Sequence, residues 1–235
     1  MESSRFEDGL NRILDIFNRF APPRVALAVS FGAEDQVLTD LMVRSGQPAR
    51  FFTLDTGRQF EETYEVMDRT RERYGIRYEV FAPDAQELET LIAEHGPNLF
   101  YGGIEQRKAC CRVRKLHPLR RALAGLDGWI CGLRREQSVT RGEIQPQSWD
   151  AEHGLYKLCP LFDWSETDVW DYIRHFQVPY NRLHDRGFRS IGCAPCTRAT
   201  TAGEDVRAGR WWWESPVHKE CGLHVAAGRF IEVQS

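Results

Sequence analysis

Val25-Ala26-Leu27-Ala28-Val29-Ser30-Phe31-Gly32-Ala33-Glu34-Asp35 passes from an unbroken apolar run, through a glycine turn, into a helix-like pattern. A short, fully apolar run fits a strand buried on both faces of a parallel sheet. Glu34 to Arg44 reads as the helix that follows. Upstream, Leu10, Ile13, Leu14, Ile16, Phe17 and Phe20 recur at helical spacing, and Pro22-Pro23 ends that helix. Downstream the alternation continues. Ala49 to Leu54 reads as a strand, Asp55-Thr56-Gly57 as a turn and Glu61 to Tyr74 as a helix. Arg77 to Phe81 is a further strand and Asp84 to Glu94 a further helix. A helix from about Glu105 to Leu123 precedes a strand over Trp129 to Leu133. Alternating strands and helices imply an α/β fold, a parallel sheet flanked by helices.

Beyond Leu133 the pattern weakens. Arg134 to Gly154 is polar and irregular, too long for a plain connection, and is expected to be a functional loop. Leu158-Cys159-Pro160-Leu161 leads to Ser165 and Asp168, a helix-start signal for a helix reaching about His175. From Asn181 the chain is rich in Gly, Arg and Trp. The expected division is a nucleotide-binding α/β domain over 1–205 and a mobile C-terminal tail over 206–235.

The 235 residues are 42% hydrophobic, enough for a proper core, and the formal net charge is −3. No global basic field for nucleic acid follows from that balance. No stretch approaches the roughly 20 apolar residues of a membrane span. The acidic N-terminus lacks a signal peptide's apolar run, so a cytoplasmic protein without membrane contact is expected. Seven cysteines in a reducing compartment argue against a disulfide framework.

Those cysteines divide by context. Cys110-Cys111 and Cys193-Ala-Pro-Cys196 offer four thiols that suit zinc or an iron–sulfur cluster. Adjacent side chains diverge, which favours a cluster with spaced irons over a single ion. Cys131 and Cys159 lie in or near buried strands and read as core residues. Cys221 stands apart in Lys219-Glu220-Cys221-Gly222-Leu223-His224, beside cations that favour a thiolate and hence a nucleophile. The Trp run in Arg210 to Glu214 reads as an anchor docking the tail. Ser30-Phe31-Gly32 and Asp55-Thr56-Gly57 end neighbouring strands and face one sheet edge, where a ligand's phosphate and adenosine groups could sit.

These motifs occur in the order found in a known family. Ser30-Phe31-Gly32-Ala33-Glu34-Asp35, Leu54-Asp55-Thr56-Gly57, Cys110-Cys111-x-x-Arg114-Lys115, Arg134-Arg135-x-Gln137-Ser138, Ile191-Gly192-Cys193-x-Pro195-Cys196-Thr197, Gly209 to Trp213 and Lys219 to His224 carry the match. The chain resembles the assimilatory adenylyl-sulfate (APS) reductases, the iron–sulfur branch of the phosphoadenylyl-sulfate (PAPS) reductase family. The resemblance implies an adenine-nucleotide α-hydrolase-like fold. It implies reduction of APS to sulfite and AMP, with thioredoxin or glutaredoxin as electron donor. Cys221 would attack the substrate sulfur and carry an S-sulfo intermediate. Cys110, Cys111, Cys193 and Cys196 would ligate a [4Fe–4S] cluster. Lys115 would lie between cluster and substrate, and Arg207, Arg210 and His224 would close over the anion. Ser30, Phe31, Gly32, Asp55, Thr56, Gly57, Arg134 and Arg141 would contact substrate. The first loop is shorter than in many relatives, lacking an extra Ser before Gly32, and Glu34 beside it argues against a triphosphate. A PAPS-preferring or dual-use reductase is the nearest alternative. A tRNA-thiolating ligase would need a Ser-Gly-Gly-x-Asp-Ser loop, and a zinc-stapled binding module would leave Cys221 unexplained. The sequence leaves a homo-oligomer open.

Overall fold

In a computed structural model, residues 2–137 and 144–215 are described. Six strands form one sheet in the order β3-β2-β1-β4-β6-β5. They are β1 (Val25–Ala28), β2 (Arg50–Leu54), β3 (Glu79–Phe81), β4 (Gly128–Ile130), β5 (Gln147–Asp150) and β6 (Leu155–Leu158). All pairs are parallel except β5 with β6. The chain runs outward from β1 through β2 to β3, then crosses back to place β4 on the other side of β1. The crevice between β1 and β4 is therefore a topological switch point, where open α/β sheets bind ligands.

Helices cover both faces. On one face α1 (Glu2–Arg19), α2 (Ala33–Arg44) and α7 (Glu166–Phe176) pack together, burying Ile13, Ile16, Val37, Leu38, Leu41, Val169 and Ile173 against β1. Helix α3 (Glu61–Tyr74) adds Val66 to the same core. On the other face Leu119, Ala122 and Leu123 of α6 (His117–Leu123) cover Ala26, Phe52 and Trp129. Arg5 and Arg12 of α1 both reach Asp163, which fixes the N-terminal helix on the turn before α7. Ser165 accepts from the Asp168 N–H while Asp168 accepts from the Ser165 N–H, the expected capping box. No helix among the described residues is long and apolar enough to cross a membrane.

Two segments differ from the sequence expectation. The span 134–154 is not loop throughout, because Gln147–Asp150 forms edge strand β5. An edge strand pairs on one side only, and Gln-Ser-Trp-Asp has no buried side chain to betray it. Trp149 is 55% exposed and rests edge-on against Tyr156 of β6. Strand β6 itself starts at Leu155, upstream of the run singled out in sequence.

The expected helix over 105–123 is three pieces. After α4 (Ala85–His95), α5 (Ile104–Cys111) gives way to a wide π-spaced turn over Arg112–Leu116 before α6. Pro118 has no N–H to donate to the Arg114 carbonyl, and its ring crowds that carbonyl. A wide turn absorbs the conflict, and such turns often sit at functional sites.

Candidate active site

A cleft of about 220 Å³ opens at the C-terminal ends of β1, β2 and β4. Its walls include Ser30, Gly32, Thr56, Lys115, Arg207 and Arg210 among the residues singled out in sequence. A smaller cavity lies beside it, lined by Cys110, Cys111, Cys193 and Cys196 together with Arg58, Arg107 and Arg114. Lys115, Cys193 and Trp211 line both. Lys115 therefore belongs to the wall shared by cleft and thiol site.

The first loop is built on carboxylates. Asp35 accepts from both the backbone N–H and the hydroxyl of Ser30, each at 2.6 Å. With its proton committed there, the Ser30 oxygen faces the cleft as an acceptor, suited to a ligand hydroxyl or amine. Glu34 accepts from Arg134 and Gln137, both at 2.9 Å. Burial pushes the Glu34 carboxyl upward, but Arg134 and Gln137 outweigh it and hold the pKa below its usual value. Asp35 has no such cation, and burial raises its pKa to about 6. Gly132 follows β4 where a Cβ would stand 2.7 Å from Asp35 Oδ1 and 2.8 Å from Glu34 Cβ. Only glycine lets β4 approach the first turn of α2 so closely.

The raised Asp35 pKa has a sign that can be measured. The group is protonated more readily in the folded than in the unfolded chain, so its contribution to stability falls as pH rises through about 4 to 6. Asp35→Asn removes that dependence. Relative to wild type, the variant is expected to gain up to about 3 kcal/mol across that window, read by denaturant melts at each pH. A difference that stays flat with pH would show that Asp35 titrates normally.

Four expected contact residues are placed away from the cleft. Phe31 turns into the core at φ 62°, 3% exposed and edge-on to Tyr78. A large aromatic side chain gains more there than at a polar cleft edge. Arg134 is buried against Glu34 and the Trp164 carbonyl, in a neighbouring pocket. Asp55 accepts from the Gly57 N–H and the Tyr64 hydroxyl, closing its own turn. Gly57, at φ 66°, lies under Arg114. The second loop is also wired to the thiol site. Thr56 Oγ1 is 3.3 Å from Cys193 Sγ, and its carbonyl accepts from Arg114 at 2.6 Å. Cys221, His224 and Arg141 lie outside the described residues.

Cys110 and Cys111 end α5, while Cys193 and Cys196 bracket a short 3-10 turn over Ala194–Cys196. All four are buried and none is in a disulfide. Burial pushes Cys110 up and Cys196 up to about 12. Cys193 is also buried, yet Lys115, the Thr56 hydroxyl and Arg210 bring it below its usual value. Among the described residues, no group of three or more His, Cys, Asp or Glu forms a metal-ion site. The donor set is nonetheless all-thiol, enclosed and ringed by cations that would offset thiolate charge.

The segment 207–214 folds along the second cysteine pair. Thr197 and Arg210 form an antiparallel bridge, and the Trp211 N–H donates to the Cys196 carbonyl at 3.1 Å. Trp211 is buried, with the guanidinium groups of Arg107 and Arg210 at 4.7 and 4.6 Å from its ring. Arg107 makes a two-pronged ion pair with Glu214 at 2.7 and 2.9 Å, both side chains almost fully buried. Trp211 is thus the anchor of the Trp run, while Trp212 is 40% exposed.

Sequence reasoning missed Gln59, His184 and Arg189, which also line the cleft. Arg189 sits four residues before Cys193, so the motif could have been extended to it. His184 carries no sequence signal. Its pKa is lowered by burial, and its ring stands edge-on to Trp170.

Comparison with known proteins accords with this arrangement. The family profile for the phosphoadenosine phosphosulfate reductase domain matches residues 24–199. An adenosine 5'-phosphosulfate reductase of Allochromatium vinosum is 56% identical over 200 residues, 85% of this chain and 78% of its own length. One of the same name from Burkholderia cepacia is 52% identical over 202 residues, covering 86% and 81%. Among solved structures, a phosphoadenylyl-sulfate reductase from Candida auris aligns with a TM-score of 0.71 at 24% identity, over 81% of this chain and 90% of that one. An FMN adenylyltransferase of Candida glabrata aligns with a TM-score of 0.61 at 16% identity, over 86% and 67%. Those two likenesses speak to the fold alone.

Proposed function

The chain belongs to the phosphoadenosine phosphosulfate reductase family, and from that premise we propose that it reduces adenylyl sulfate to sulfite and AMP. The observation that carries the reading is the shared wall, a cationic cleft at the sheet's switch point backed through Lys115 by an enclosed four-thiol site. In this reading Cys221 Sγ attacks the substrate sulfur. An S–S bond forms, the sulfur–oxygen bond to phosphate breaks, and AMP leaves with that electron pair. A dithiol donor, thioredoxin or glutaredoxin, then attacks Cys221 Sγ, releases sulfite and closes to its own disulfide. Lys115, Arg207 and Arg210 face the charge that builds on the phosphosulfate oxygens, and fixed cations stabilise such charge in a cleft more than in water. Ser30, the Gly32 loop and the positive end of α2 hold the nucleotide side.

Cys110, Cys111, Cys193 and Cys196 would hold a [4Fe–4S] cluster, which when bound supplies a charge that tunes the neighbouring Lys115. Cys193→Ser is expected to lose the brown chromophore and most of the iron, measured by absorbance and metal analysis. Normal iron content in that variant would defeat the ligand assignment.

Gly192 gives a second handle. A Cβ there would overlap the Arg210 guanidinium, which also donates to the Ile191 carbonyl. The obstructed group is the far end of a flexible side chain, so Gly192→Ala should fold normally and displace Arg210. A charge-assisted hydrogen bond is worth about 1.5–3 kcal/mol, so KM for adenylyl sulfate should rise about tenfold or more. An unchanged KM would remove Arg210 from the substrate contacts.

The test of the whole reading is sulfite release by anaerobically purified protein with reduced thioredoxin, comparing APS and PAPS at equal concentration. Preference for APS supports it. Preference for PAPS keeps the chemistry and changes the substrate. No sulfite from either, with a full complement of iron, ends the proposal.

A further inference from the structure

Two cysteines remain that the reaction does not use. Ile130 of β4 pairs with Leu158 of β6, so the next residues, Cys131 and Cys159, stand opposite each other past the strand ends. The Cys131 N–H donates to the Leu158 carbonyl at 3.0 Å, which holds that register. Neighbouring strands lie about 4.8 Å apart, inside the roughly 4.4–6.8 Å range of Cα separations that a disulfide spans. The two sulfurs are already 3.6 Å apart. Both side chains are buried in a small cluster with Leu133, packed against Ile144 and Phe162. Cys131 also forms part of the cleft wall, whereas Cys159 lies behind it. A small oxidant in the cleft therefore meets Cys131 first, with Cys159 waiting at contact distance.

We propose that Cys131 and Cys159 are a thiol-oxidation site in the wall of the cleft, converted by hydrogen peroxide to a disulfide that blocks nucleotide binding until a dithiol reduces it. The Cys131 thiolate attacks one peroxide oxygen, the O–O bond breaks, and the hydroxide that leaves takes up the thiol proton as water. Cys159 Sγ then attacks the resulting sulfenic sulfur. The S–S bond forms, the S–O bond breaks, and the second hydroxide leaves with the Cys159 proton as water. Two thiols and one peroxide thus give one disulfide and two waters. Closing the sulfurs from 3.6 Å to a bond of about 2.05 Å draws the end of β4 toward β6. Gln137 donates to both the Gly132 carbonyl and Glu34, so the shift at the end of β4 is passed through those hydrogen bonds to the first turn of α2 and the loop before it. The consequence for nucleotide binding rests on the function proposed above.

The test uses the full chain carrying Cys221→Ser, so that the nucleophile does not compete, with and without Cys159→Ala. Each is treated with peroxide, alkylated under denaturing conditions and mapped by mass spectrometry, and AMP affinity is measured by calorimetry. Peroxide damage to bound iron would fall equally on both proteins. The expected result is a 131–159 linked peptide and a Kd for AMP raised at least about tenfold, reversed by dithiothreitol and absent in the Cys159→Ala protein. Failure to form the linkage overturns the site. Linkage with unchanged AMP affinity, or equal loss of affinity in the Cys159→Ala protein, overturns its effect on the cleft. If untreated protein does not bind AMP, the proposed function fails, while the linked peptide still reports on the thiol pair.

Discussion

Cys221→Ser is expected to abolish sulfite formation from adenylyl sulfate, by about 10⁴-fold or more, and to leave iron and acid-labile sulfide at wild-type levels. The first half follows from the chemistry of the step. A serine hydroxyl is scarcely ionised near neutral pH and makes a poor nucleophile toward sulfur. Any adduct it formed would be a sulfate ester with no S–S bond for a dithiol to cleave. Lys219, His218 and His224 stand within three residues of Cys221, and cations so placed favour its thiolate. The second half follows from the division of labour among the cysteines. The four thiols around the enclosed cavity are Cys110, Cys111, Cys193 and Cys196, and none of them is replaced. Sulfite release and iron analysis on the same preparation decide the matter. Turnover above about 1% of wild type, or loss of iron, would show that the thiols have been assigned to the wrong roles.

Glu214→Leu should cost about 3–5 kcal/mol of stability, a fall in Tm on the order of 10 °C. Arg107 and Glu214 are 1% and 3% exposed at the side chain, and their pairing is two-pronged. Removing one partner leaves a guanidinium in a dry site beside Trp211, without its counter-charge. The double variant Arg107→Met with Glu214→Leu removes both charges and should recover most of the loss, because a buried ion pair exceeds a well-packed apolar pair by little or nothing. Thermal melts of the single and double variants form a cycle that isolates the coupling. A single variant that melts within about 2 °C of wild type would mean that water reaches the pair. Glu214 is the last but one of the described residues and stands seven positions before Cys221, so this contact holds the chain close to that segment.

The parts of the fold that sequence made legible are those where one physical signal acts alone. Val25–Val29 reads as a buried strand because no polar residue interrupts it. The bounds of α3 are the ones anticipated, set by Glu61 after an irregular turn and by Gly75 in the left-handed region. The Ser165–Asp168 cap was visible because both partners lie within four residues. What escaped notice depends on contacts distant in sequence. Strand β5 is polar and one-sided, and exists because β6 offers it hydrogen bonds. Asp55 reads as a ligand group, and the structure adds that its Oδ1 accepts from Gly57 and Tyr64. Thr56 does line the cleft, and its hydroxyl also meets Cys193, 137 residues away, a contact that no local pattern shows. Phe31 turned inward because Tyr78 provides an edge to pack on. Each thiol of the enclosed site was named from spacing, whereas the sharing of Lys115 between two cavities appears only in three dimensions.

The wide turn over Arg112–Leu116 makes chain length a constraint in its own right. Such a turn is an α-helical turn that has taken in one residue more than regular spacing allows. Deleting a single residue there, Val113 for instance, would restore the ordinary pitch. Four residues at ordinary spacing sweep about the same angle as five at the wide spacing, so α5 and α6 would keep their phase and the change would fall on side chains inside the turn. Arg114 and Lys115 lie inside that turn, so they are the side chains that would move relative to Cys110, Cys111 and the two cavities. The extra residue is therefore felt at the two cations and not in the packing of the helices on either side.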